Sequence, residues 1–268
     1  MPALIFDCDG VLADTERYGH LPAFNATFAE FALPVHWTDD DYAKKVLIGG
    51  GKERLASLLT PEFVKATGLS DDPAEQRERV ASWHRRKTEL YTAMAEEGAL
   101  PARPGIARIV GEARHAGWQL AVASTSAEPS VRAVLEHVVG HRMAEHFAVF
   151  AGDIVPAKKP APDIYELALR ELGVGADDAI VVEDSANGLR AALAADIRTI
   201  VTVSDYTRHE DFSGAAFVVS SLGSPEIDTD VIACESGVRP QGAVLLSDLE
   251  AVLAAPLTSE NHPTKESL

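Results

Sequence analysis

The stretch Ile5 to Asp14, IFDCDGVLAD, decides how the rest of the chain is read. A short apolar run beginning at Ala3 leads into Asp7 and Asp9, with Gly10 directly behind them. An unbroken apolar run closed by a turn signal reads as a buried strand. Two like charges then sit side by side at a strand end. That is costly in a low-dielectric setting unless a cation shares the site.

Working outward, further runs rich in β-branched residues follow: QLAVA from Gln119, AVFA from Ala148, AIVVE from Ala179, RTIVTV from Arg198 and AAFVV from Ala215. Helical stretches lie between them, GIARIVGEARHAG from Gly105, EPSVRAVLEHVV from Glu128, DIYELALRELGV from Asp163 and SANGLRAALAA from Ser185. Strand alternating with helix predicts an α/β fold, a Rossmann-like parallel sheet with helices on both faces. Residues 15–101 break the alternation, because HLPAFNATFAEFAL, DDDYAKKVL and AEQRERVASWHRRKTELYTAM are helix-like throughout. A small all-helical cap domain is expected there, with PARPG, Pro101 to Gly105, as the return linker. The core is then 1–14 with 102–255. Ser247 and Glu250 read as a capping box opening a last helix. Residues 223–243 show no period and read as irregular surface structure, and the polar tail 256–268 reads as disordered.

Composition narrows the partners. Lys plus Arg number 24 against 41 Asp plus Glu, a net charge of -17, which repels nucleic acid and anionic lipid. An anionic ligand must therefore be captured by a local basic pocket. The two cysteines, Cys8 and Cys234, have no metal-binding spacing and read as free thiols of a reducing compartment. No run approaches the about 18 apolar residues of a membrane helix. Met-Pro runs straight into a strand without a basic leader. A cytoplasmic, monomeric enzyme is expected.

In an open α/β sheet, ligands bind beyond the carboxyl ends of the strands. Asp7 and Asp9, then Ser124, then Glu183 and Asp184 all fall at such ends, and Lys158 and Lys159 precede the helix after AVFA. Four carboxylates in one crevice call for a divalent cation, and oxygen-only ligands suit Mg²⁺. With it, one aspartate can be a nucleophile and its neighbour an acid and base, while Ser124 and Lys159 meet a transferring phosphoryl group. Taken singly, DxD is an ordinary solvated turn and ED an ordinary helix cap. Their order along the chain, each after an apolar run, is what carries the reading.

DCDGV, VASTS, KKPAPDIY and VVEDSANGLRAA resemble the four motifs of the haloacid dehalogenase superfamily of phosphohydrolases. The resemblance implies that Asp7 forms an aspartyl-phosphate, that Asp9 is the general acid and base, and that Ser124 and Lys159 bind the phosphoryl group. It implies that Mg²⁺ is held by Asp7, the backbone carbonyl of Asp9 and Asp184, with Glu183 acting through water. The helical insertion resembles the family's mobile cap. Dehalogenases proper lack the second aspartate and phosphonate hydrolases carry alanine there, so Asp9 argues for phosphate esters.

Within the insertion, LIGGGKERL places Gly49 to Gly51 ahead of Lys52 and Arg54. Adjacent glycines let backbone amides approach an anion. Val46 and Glu53 depart from the P-loop pattern, so this is not a nucleotide loop. In WHRRKTELY, His84, Lys87, Thr88 and Tyr91 share one helix face. The bland account is a flexible loop and a solvated basic face; two basic clusters in so acidic a chain point instead to a second phosphate. Both stretches, with AGDIVPAKKPAPDIYELALRELGV and YTRHEDF, resemble the CbbY-type phosphatases of xylulose 1,5-bisphosphate. That implies Glu16, Gly50, Gly51, Lys52, Arg54, His84, Arg85 and Lys87 as the grip on the sugar and distal phosphate, with Thr125 and Ser126 extending Ser124. YTRHEDF, from Tyr206, reads as a charged helix start. A β-phosphoglucomutase-like isomerase is the alternative. Its histidine, five residues after the aspartate of its DT pair, corresponds here to Gly19, with His20 one place beyond, which weighs against it. A broader sugar monophosphate phosphatase and a non-catalytic sugar-phosphate sensor complete the field.

Overall fold

The computed structural model describes residues 1–255, so the tail from 256 onward lies outside the described residues. Each apolar run forms a strand: β1 Ala3–Phe6, β2 Gln119–Ser124, β3 Phe147–Ala151, β4 Ala179–Glu183, β5 Arg198–Thr202 and β6 Phe217–Val219. They pair parallel in one sheet, order β3-β2-β1-β4-β5-β6. The last strand, β7 Val231–Cys234, runs antiparallel on β6. It falls within the segment read as irregular. At the sheet edge its residues are only partly buried, so neither alternation nor an apolar run marks it in the sequence.

Successive β1 side chains face opposite ways, as the pleat requires. Leu4 and Phe6 pack under α6 Ile106–His115, α7 Glu128–Val139 and α11 Leu246–Ala254. Ala3 and Ile5 pack under α9 Asp163–Leu172 and α10 Ala186–Ala194. Short α8 His141–Ala144 follows α7. The N-cap of α11 is Leu245, not Ser247: the Asp248 carboxylate accepts the Leu245 N–H at 2.8 Å.

Between β1 and α6 all regular structure is helical: a π-turn Glu16–His20, then α1 Leu21–Glu30, α2 Asp39–Lys45, α3 Gly51–Ala56, α4 Pro61–Thr67 and α5 Pro73–Glu96. These helices bury their own aromatic cluster, with Phe24, Phe28, Trp37, Tyr42 and Trp83 at its centre. The outgoing and returning chains pair where this lobe joins the sheet, Asp14 N–H to Pro101 O at 2.9 Å and Arg103 N–H to Leu12 O at 3.0 Å. Arg103 fixes that junction further through Asp14 and the carbonyls of Val203 and Ser220. β1 has β2 on one side and β4 on the other, so the sheet's strand order reverses there and its crevice opens beside Asp7.

Candidate active site

Beyond the ends of β1 and β4, a cleft of about 570 Å³ separates the sheet from the helical lobe. Asp7 leaves β1 with its N–H on Val182 O at 2.9 Å, which anchors the loop to β4. Gly10 then turns at φ 75°, and a Cβ there would lie 2.2 Å from an Asp184 oxygen. Only glycine allows that approach, which draws the β1 and β4 loops together.

Asp7, Glu183 and Asp184 are buried and each offers an oxygen within 4.8 Å of the others. Burial raises Asp7 to about 7, with Glu183 and Asp9 adding to it against the Lys159 charge. Asp184 is pushed well above the carboxylate range by burial, then by Glu183 and Asp7. The Lys159 ammonium donates to Asp7 at 2.7 Å, Glu183 at 2.6 Å and the Ala123 carbonyl at 2.9 Å. Burial works against its charge, but the two carboxylates hold it protonated. Glu183 also accepts from Tyr165 OH at 2.5 Å and from Asp184 N–H at 3.2 Å. One lysine cannot balance three buried carboxylates, and an all-oxygen set of this kind fits a hard divalent cation.

Asp9 stands in a different environment. It accepts from Thr15 Oγ1 at 2.6 Å, Ser126 Oγ at 2.5 Å and Tyr91 OH at 3.3 Å, and lies 3.0 Å from His20 Nε2. Burial pushes its carboxyl up, but His20 and these hydrogen bonds outweigh it and hold Asp9 well below the usual range. On the far side of the imidazole, Lys87 Nζ is 2.5 Å from Nδ1. With Lys87 as the ammonium, which can only donate, Nδ1 accepts and Nε2 carries the ring proton toward Asp9. Burial lowers Lys87 to about 7, although Glu16 and Asp9 pull the other way. His20 reaches Asp9 because Glu16–His20 is a π-turn, whose wider i→i+5 turn absorbs one residue. The one-place offset from Gly19 therefore does not keep this histidine from Asp9.

The helical wall carries the remaining candidates. Gly50 (φ 96°), Gly51, Lys52, His84, Arg85 and Lys87 line the cleft. His84 is lowered to about 4 by burial and then by Lys87, Lys52 and Lys158, so it is neutral. Lys52 Nζ reaches across the cleft to Asp153 at 2.6 Å, and Lys158 joins it at 3.2 Å. Arg54 is not free for a ligand. Its guanidinium grips Glu16 at 3.0 Å, the Tyr42 hydroxyl at 2.6 Å and the Ile48 carbonyl at 3.0 Å. Tyr42 in turn donates to Glu16. Thr125 and Ser126 line the cleft, whereas Ser124 lies beneath it, its Oγ accepting the Ser126 N–H at 3.2 Å. Tyr42, Asp153 and Tyr165 carry no motif signal of their own. YTRHEDF marks Tyr206 as a charged helix start, but the chain from Asp205 to His209 forms a turn and no helix begins there. A role for His20 follows only from the π-turn.

The sequence matches the haloacid dehalogenase-like hydrolases over residues 1–196. The chain belongs to that family. It is 46% identical to Protein CbbY of Cereibacter sphaeroides over 221 residues, 82% of this chain and 92% of that one. It is 47% identical to a CBBY-like protein of Arabidopsis thaliana over 240 residues, 89% of this chain and 75% of that one. The crystal structure of a mutant CbbY from Rhodobacter sphaeroides in complex with xylulose 1,5-bisphosphate superposes with a TM-score of 0.73 at 42% identity, covering 84% of this chain and 98% of that one. This family member is thus a phosphoric monoester hydrolase of CbbY type. No helix among its described residues is long and apolar enough to cross a membrane.

Proposed function

We propose that the protein removes the C1 phosphate of xylulose 1,5-bisphosphate, with Mg²⁺ and through an aspartyl-phosphate on Asp7. The observation that carries this is the pairing of two unlike aspartates on one loop, opposite a wall rich in cations. Asp7 sits among carboxylates with Lys159 on it, while Asp9 is fed by hydroxyls and His20.

Asp7, Asp184 and the Asp9 carbonyl would hold Mg²⁺, with Glu183 behind them through water, since its oxygens already serve Lys159, Tyr165 and Asp184 N–H. When bound, the cation offsets the carboxylates and the phosphate charge. Asp7 Oδ attacks phosphorus, and the bond from phosphorus to the sugar oxygen breaks. The leaving oxygen takes a proton from Asp9. Asp9 is ionised in this arrangement, so that proton arrives from Lys87 through Nδ1 and Nε2 of His20. Water then attacks the aspartyl-phosphate, its proton returns through Asp9, and the bond from Asp7 to phosphorus breaks. Lys159 and Ser126 orient the reacting groups, with Ser124 fixing the Ser126 loop from below. Lys52, Arg85 and neutral His84, with the Gly50 and Gly51 backbone, meet the distal phosphate. Arg54 acts at one remove by holding Glu16 toward the sugar. Residues 15–101 act as the cap that excludes water during transfer. The buried Cys8 and unpaired Cys234 accord with a reducing compartment such as the cytoplasm.

A mutase has one observation for it, His20 on Asp9. Phosphate release with Mg²⁺ across xylulose 1,5-bisphosphate, ribulose 1,5-bisphosphate, fructose 1,6-bisphosphate and β-glucose 1-phosphate separates the readings. Strong preference for the xylulose compound is expected. Flat, weak release would defeat that substrate assignment, and glucose 6-phosphate formed without phosphate release would decide for the mutase.

A further inference from the structure

The turn after β5, from Ser204 to Phe212, contains the YTRHEDF stretch, and the chemistry above leaves it without a role. It bridges the two lobes. At its tip Tyr206 donates its hydroxyl to Asp39 at 2.8 Å and sets its ring edge-on to Tyr42, centroids 5.7 Å apart. Arg17 stacks over the Tyr206 ring at 5.6 Å and reaches Asp205 at 2.7 Å and Asp39 at 3.3 Å. At the base of the turn, Thr207 Oγ1 accepts the Ser204 N–H at 2.9 Å. The Glu210 carboxylate accepts the Ala186 N–H at 2.6 Å, two residues beyond Asp184. One end is therefore fastened beside a candidate metal ligand and the other to the helical lobe.

We propose that Tyr206 is a positioning residue that holds the cap closed and, through Tyr42, sets Glu16 over the substrate. This rests on the cleft being the phosphatase site. Exposed ion pairs such as Arg17 with Asp205 contribute little singly. The aromatic contact has more to give, because the Tyr206 ring is half-buried against a buried Tyr42 whose hydroxyl holds Glu16. A ligand-free equilibrium between open and closed forms shifts with any group that binds only one of them.

The test uses spin labels at exposed Glu62 in α4 and Glu171 in α9, in a full-length protein with Cys234→Ser, and reads the distance between them without substrate. Tyr206→Ala is expected to spread the distances to longer values and to lower kcat/KM for xylulose 1,5-bisphosphate about tenfold. Tyr206→Phe, which keeps the ring, should stay within about threefold and retain the short distance. If Tyr206→Ala does not fold, Arg17→Gln with Asp205→Asn loosens the same dock from the surface and should broaden the distribution in the same direction. Distances indistinguishable from the unaltered protein would overturn the proposal. Because the distance readout needs no substrate, it answers even if xylulose 1,5-bisphosphate proves not to be turned over.

Discussion

The core wall of the cleft and its cap wall hold charge in different ways. On the core side, Asp7, Glu183 and Asp184 are buried at strand ends, and their positions follow from backbone that the sheet holds rigid. On the cap side, Lys52 and Arg85 are long side chains, Lys52 half-exposed in the first turn of α3 and Arg85 exposed on α5. Buried charge without full compensation is expensive to keep, and groups so arranged are set for chemistry. Exposed cations cost little and can exchange a resident carboxylate for a ligand. The proposed function assigns chemistry to the core wall and selection to the cap wall, and each prediction probes that division.

The largest effect falls on the core. Asp7→Asn should lower turnover of every phosphate ester by at least about a thousandfold, because on the proposed mechanism it removes the nucleophile rather than a contact. Turnover left unchanged in a phosphate-release assay would exclude the covalent route. The same variant reports the charge cost of the cluster. In the folded protein Asp7 titrates near 7, above its unfolded value, so its stabilising contribution is present at low pH and lost as pH rises toward 7. Without magnesium, Asp7→Asn should therefore outlast the unaltered protein by a margin that grows between pH 4 and 7, at up to about 1.4 kcal/mol per pH unit. Saturating Mg²⁺ should reverse the order. Melting curves with and without the metal give the answer, and a margin independent of pH would contradict the account.

The smallest effect lies on the cap side. Asp153 occupies Lys52 across the cleft with both side chains about half exposed. Asp153→Asn should free the lysine and lower KM for the bisphosphate about two- to threefold with kcat unchanged. A raised KM would mean that Asp153 orients Lys52 rather than competing for it.

The same division explains what the sequence made legible. Asp7, Asp9, Lys159, Glu183 and Asp184 could be named because apolar runs fix strands and strand ends fix the crevice. Residues 15–101 lack β-branched runs, and the regular structure there, from Glu16 to Glu96, is helical. GGGKERL and the CbbY resemblance offer Arg54 as a ligand group, whereas its satisfaction by Glu16 and two carbonyls depends on how α3 packs beside the π-turn. Counting five residues from Asp14 lands on Gly19 and puts His20 one place off the mutase position, an offset the π-turn absorbs. Asp153 and Tyr206 act across lobes, from loops whose neighbours are distant in sequence. β7 escaped notice because an edge strand with partly buried residues needs no pattern.

The most direct test removes the selecting charges and leaves the chemistry in place. Lys52→Ala combined with Arg85→Ala should lower kcat/KM for xylulose 1,5-bisphosphate about a hundredfold, mainly through KM, while hydrolysis of p-nitrophenyl phosphate stays within about threefold. Equal losses on both substrates would contradict a cap wall that selects and a core wall that reacts.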